Sequence, residues 1–133
     1  MSFDMFLFCV QDGEPSTFPL ALVEEAFGLY AKSRNENGWQ LHFPDGGVCD
    51  LYFDPTPQTD GFMVSRPSGN PELWKGLIEI LKRTTSVLLW PGGPPVIADV
   101  SVIPHIPSGM IESLGEPVIT TDSDKIRELI RNS

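Results

Sequence analysis

Basic residues are scarce in this chain. Its 133 residues hold nine Lys plus Arg against 18 Asp plus Glu, which gives a formal net charge of −9 and an isoelectric point near 4.5. A protein that grips nucleic acid neutralises several phosphates with a basic patch, so nucleic acid is not expected as a direct partner. Anionic membrane surfaces are excluded on the same ground. Long apolar runs are missing as well. The run Met5 to Val10 is six residues, whereas a membrane span takes about 20 and a secretory leader needs a basic segment ahead of a longer apolar core. The opening Met1-Ser2-Phe3-Asp4 carries no base, so a cytoplasmic location is expected. Two cysteines, Cys9 and Cys49, and two histidines, His42 and His105, are too scattered for the ligand pairs of a zinc site. They are also too few for a secreted disulfide scaffold. Both cysteines sit in apolar, strand-like runs and read as reduced packing residues. No metal and no cofactor are expected.

What is present suffices for one core. The length matches a single domain spanning 1–133, and 41% hydrophobic with 10% aromatic residues can fill it. The charge is unevenly placed. Residues 1–65 hold ten acids and two bases, Lys32 and Arg34, for −8, while the remainder is close to balanced at −1. A negative field focused in this way attracts a cation or a basic protein. Solubility is the competing reason for such acidity.

The pattern predicts an α+β domain with a largely antiparallel sheet, and three to four helices packed on it. Phe3 to Val10 is apolar on both parities apart from Asp4, which predicts a central strand covered on both faces. Ser16 or Thr17 is a candidate cap for a helix through Phe27, with Leu20, Val23 and Phe27 on its inner side. Residues 29–66 read as a β-meander, punctuated by Asn35-Glu36-Asn37-Gly38 and Pro44-Asp45-Gly46-Gly47. Asn70-Pro71-Glu72 combines an N-cap, a proline at the first helical position and an early acid. Trp74, Leu77, Ile78 and Leu81 then follow at helical spacing. Strands are expected at 86–90, 96–98 and 118–120, a loop at 104–107, and a short helix from Ser108 to Leu114 closed by Gly115. A last helix starts at a capping-box-like Thr121 and Asp124.

Burial constrains the hairpin register. A three-residue loop Asp45-Gly46-Gly47 places Phe43 opposite Cys49, Leu41 opposite Leu51 and Trp39 opposite Phe53, and gathers Gln40, His42, Asp50 and Tyr52 on the other face. His42 then faces Asp50, the arrangement of a histidine general base oriented by a carboxylate. A solvated cross-strand pair is the structural alternative. No serine or cysteine nucleophile completes a triad, and Cys49 points away from His42. Asp45, Asp50, Asp54 and Asp60 do not match a calcium loop, since Asp50 and Asp54 lie about 13 Å apart on an extended strand. Pro91-Gly92-Gly93-Pro94-Pro95 lacks the lysine and hydroxyl of a phosphate loop and reads as a turn.

Three functional readings follow. Glu36, Asp45, Asp50, Asp54 and Asp60, with Tyr52 among them, occupy turns and outward strand positions of one meander, with no base between Arg34 and Arg66. This is a surface for a basic protein partner. In size, acidity and the opening Phe3-Asp4-Met5-Phe6-Leu7-Phe8, the chain resembles the small acidic immunity proteins that bacteria keep in the cytoplasm against toxins delivered by neighbouring cells. That resemblance implies an inhibitor without enzymatic activity that occludes a basic, nuclease-like toxin domain. The second reading is a small hydrolase using His42 and Asp50. The third is a self-associating domain in which Trp90, Pro91 and the turn after them meet another copy.

Overall fold

The structure, a computed structural model, describes residues 3–67 and 70–133; the expectation drawn from Met1 and Ser2 lies outside the described residues. Strand β1 (Asp4–Gln11) turns into β2 (Glu14–Pro15), followed by β3 (Phe18–Pro19) and helix α1 (Ala21–Phe27). Then come β4 (Ala31–Asn35), β5 (Gly38–His42), β6 (Val48–Tyr52), β7 (Gln58–Thr59) and β8 (Gly61–Ser65). After helix α2 (Pro71–Arg83) the chain runs through β9 (Ser86–Leu89), β10 (Val96–Ile97), α3 (Ser108–Leu114), β11 (Val118–Ile119) and α4 (Ser123–Arg131). The main sheet has the order β11-β10-β9-β1-β8-β6-β5-β4, and every pairing is antiparallel except β10 with β11. The α+β class, the largely antiparallel sheet, the central first strand and the meander are as expected from the sequence.

One face of this sheet is the main core. Met5, Leu7 and Cys9 of β1, Phe62 and Val64 of β8, Cys49 and Leu51 of β6, and Trp39 and Leu41 of β5 all point into it. Helices α1, α2 and α4 supply the other side through Val23 and Phe27, through Leu73, Trp74, Leu77, Ile80 and Leu81, and through Ile126. Each fully buried leucine contributes about 1.5–3 kcal/mol relative to exposure. Helix α2 forms as its local code dictates. The Asn70 side chain accepts a hydrogen bond from the Glu72 N–H at 2.8 Å, Pro71 occupies the first turn, and Lys82 and Arg83 meet the negative end of the dipole. Ile78, expected in the core stripe, is only partly buried, and Leu73 and Ile80 widen the stripe instead.

The opposite face is covered over only part of its width. Val10, Val87 and Ile97 are roofed by Val102, on a 3-10 turn (Val100–His105) that overlaps the start of the loop expected at 104–107, and by Ile106 just after it. Helix α3 adds Met110 and Ile111. Among the described residues there is no such roof over the first half of β1 or over β8, β6 and β5, and β1 is therefore covered on both faces only at its end.

Two further expectations are corrected. Helix α1 starts at Ala21 after Leu20, with no side-chain cap from Ser16 or Thr17. Phe18 is buried and pairs with Thr59 in the small β3–β7 ribbon, so burial and strand pairing outweigh the cap. The β5–β6 hairpin is shifted by one loop residue. Phe43 N–H donates to Gly47 O and Gly46 N–H to Phe43 O, so the loop is Pro44-Asp45-Gly46 with Gly46 at φ +90°. Trp39 then lies opposite Leu51, Gln40 opposite Asp50, Leu41 opposite Cys49 and His42 opposite Val48. Burial discriminates only between the two parities, and both registers bury the same residues.

Candidate interaction surface

The unroofed part of the sheet is built from three cross-strand rows. Asp4, Ser65, Asp50 and Gln40 lie side by side on β1, β8, β6 and β5. The next row is Phe6, Met63 and Tyr52, closed by Gly38, with Leu89 beside Phe6 packed against the roofed cluster. In the third, Phe8 is opposite Gly61. Alternation along each strand puts all of these side chains on the side away from the main core. Phe8 is 38% and Tyr52 44% exposed, and the rings of Phe6 and Phe8 stack with centroids 5.9 Å apart at 11°.

Glycine opposite an aromatic leaves space beside the ring. At Gly61 a Cβ would fall 1.8 Å from the Leu7 carbonyl oxygen, so no side chain is accommodated there. An open groove of about 550 Å³ results, lined by Phe6, Phe8, Tyr52, Met63, Asp54 and Asp60 among others. Among the described residues no Lys or Arg lines it.

The acids of the first half differ in whether their charge is answered. Glu24 pairs with Arg34 at 3.0 Å, and Glu25 pairs with Arg83. Asp50, only 15% exposed at its side chain, is met by Arg66 at 2.5 Å. The Asp50 carboxylate also holds the Arg66 guanidinium above its ordinary range. Asp45 closes its own turn by accepting from the Gly47 N–H at 2.8 Å, and this bond, followed by one with the Asn70 side chain, holds its carboxyl below the usual range. Among the described residues, Asp54 and Asp60 enter no ion pair.

Of the residues singled out in the sequence, Tyr52, Asp54 and Asp60 therefore come together at the Gly61 end of the open face. Glu36 lies in the adjacent β4–β5 turn beside Asn37. Asp45 stands at the other end of the hairpin, and Asp50 is on the open face but neutralised.

His42 does not face Asp50. Its Nε2–H donates to the Gln40 amide oxygen at 2.9 Å along the same strand, while Asp50 is held by Arg66. Cys49 is fully buried on the other side of the sheet, and burial, reinforced by the nearby Asp50 charge, pushes its thiol up to about 12. Burial also raises the Cys9 thiol. Neither is placed or ionised as a nucleophile. His105 serves the β1–β2 turn, its Nδ1 accepting from the Asp12 N–H at 3.1 Å and its carbonyl from the Gly13 N–H at 3.0 Å. Trp90 is 4% exposed and lies against Gly93, with its indole N–H donating to Ser133 Oγ at 3.0 Å. It is a core residue, unavailable to another copy. Among the described residues, no group of three or more His, Cys, Asp or Glu side chains is placed to hold a metal ion, and no helix is long and apolar enough to cross a membrane.

Phe6, Phe8 and Met63 are the residues the sequence alone did not assign to a surface. Their signal is Asp4, which shares the parity of Phe6 and Phe8 and marks that side as open to water. Comparison of the chain with protein-family models, curated proteins and solved structures yields no match.

Proposed function

We propose that the chain is a protein-binding module that docks a basic partner on the unroofed sheet face. The observation that carries this reading is the juxtaposition of exposed Phe8 and Tyr52 with Asp54 and Asp60, two carboxylates that enter no ion pair among the described residues. Aromatic side chains at the centre of a patch supply buried area on association. Bordering charge steers the encounter and rejects partners of like sign. Solubility accounts for dispersed acid but not for aromatic rings left uncovered beside it. The finer reading is an immunity-type inhibitor whose face occludes the substrate surface of a cationic, nuclease-like toxin. It draws on the resemblance in size, acidity and opening strand, and it needs no catalytic group on this chain. The hydrolase reading loses its basis with the His42–Asp50 pairing.

The test is affinity capture at low salt with the native chain and with Phe8→Glu as baits, with captured proteins identified by mass spectrometry. A basic protein retained by the first and lost from the second supports the proposal. A catch with no cationic protein distinguishing the two baits overturns it.

A further inference from the structure

Resting on the reading of this face as a docking surface, we infer that the groove at its Gly61 end is a receptor for an arginine side chain of the partner. The groove offers the two surfaces a guanidinium uses. Phe6, Phe8 and Tyr52 line it and supply aromatic surface for the flat cation and its aliphatic stem, and Asp54 and Asp60 line it and supply carboxylates for its N–H groups. Its volume of about 550 Å³ exceeds what one side chain fills, and it opens to solvent, so the chain that carries the arginine has room to approach.

The two bases of the first half and the base at its border do not compete for the place. Lys32 and Arg34 lie on β4, at the far edge of the sheet, and Arg66 is engaged by Asp50. The fold already contains this recognition unit once. The Arg34 guanidinium lies 4.3 Å over the Trp39 ring while donating to Glu24 at 3.0 Å, which is an aromatic face and a carboxylate holding one arginine. In the groove the same two components are present, and among the described residues no Lys or Arg accompanies them. Lysine fits less well, since an ammonium is more strongly hydrated and cannot present a planar fork to two carboxylates. A second copy of the chain is disfavoured by its own charge of −9.

Titration with Nα-acetyl-arginine amide, followed by NMR of the Phe6, Phe8 and Tyr52 rings, tests the assignment. Nα-acetyl-lysine amide and the uncharged citrulline derivative serve as controls. The expected result is saturable shifts of these rings with the arginine derivative, with affinity reduced about tenfold or more in Asp54→Asn/Asp60→Asn and in both controls. Equal binding of either control, unchanged affinity in the double variant, or ring resonances that do not move would overturn the arginine receptor, as would self-association through this face in sedimentation. The capture experiment separates the two levels. A basic protein that depends on Phe8 but ignores Asp54→Asn/Asp60→Asn removes the arginine receptor and leaves the docking face standing.

Discussion

Gly76 of α2 lies directly against the ring of Phe27 in α1: a Cβ built on Gly76 falls 2.4 Å from Phe27 Cε1 and 2.6 Å from Cζ. Two helices that share the main core thus approach each other through a missing side chain. A glycine inside a helix costs about 1 kcal/mol relative to alanine, and here the close approach explains its presence.

Gly76→Ala is therefore expected to destabilise the protein. The gain in helix propensity of about 1 kcal/mol is outweighed by overpacking, which costs about 1–3 kcal/mol. Phe27 cannot retreat easily, because it is fully buried and meets Phe62 edge-on at 6.3 Å. Urea denaturation should show a lowered midpoint with an unchanged slope. A raised midpoint would mean that the ring moves aside freely.

The start of α2 supplies a second prediction. Asn70→Ala removes the acceptor for the Glu72 N–H and is expected to cost about 1 kcal/mol, whereas Asn70→Ser, which keeps a capping oxygen, should lose distinctly less. Thermal melts of the two variants decide this. Equal losses would show that packing at this buried residue and its bond to Asp45, and not the cap, set its contribution.

Cys49 predicts an alkaline limit to stability. Its thiol is raised from 9.0 to about 12 in the fold, first by burial and then by the Asp50 charge. An acid held neutral in the fold and ionised in the unfolded chain favours unfolding once the pH exceeds the unfolded value. The stabilisation is thus complete below pH 9 and declines from there towards pH 12, by about 1 kcal/mol per unit. Cys49→Ala should be less stable than the native chain at pH 8 because of the lost packing, yet it should lose less on going to pH 10.5. Parallel pH profiles for the two proteins would contradict the burial of a neutral thiol.

Much of the fold was legible because its local signals agree with its packing. Asn70-Pro71-Glu72 followed by an apolar stripe left α2 no alternative, and the end of α3 follows from the left-handed Gly115 at φ +94°. The parity of the β5–β6 hairpin was equally readable, since Leu41, Cys49 and Leu51 must be buried. Its register was not, because a shift of two residues changes no burial and is decided by which glycine takes the turn. That shift separates His42 from Asp50. The open face was hidden for a different reason. Phe6 and Phe8 look like core residues in sequence, and whether a roof covers them depends on where residues 98–114 settle, a long-range outcome with no local code. Asp54 and Asp60 were recognisable as acids of the meander. That they enter no ion pair among the described residues while Asp50 is neutralised follows from the positions of Arg66 and β8.

The most direct measurement of the central claim is isothermal titration of the captured basic partner with the native chain and with Phe8→Glu, at low and high salt. Docking on the unroofed face predicts affinity that falls steeply with salt for the native chain, and a loss of about 100-fold or more for Phe8→Glu at either salt. Affinity unchanged by Phe8→Glu would place the partner elsewhere on the protein and contradict the account.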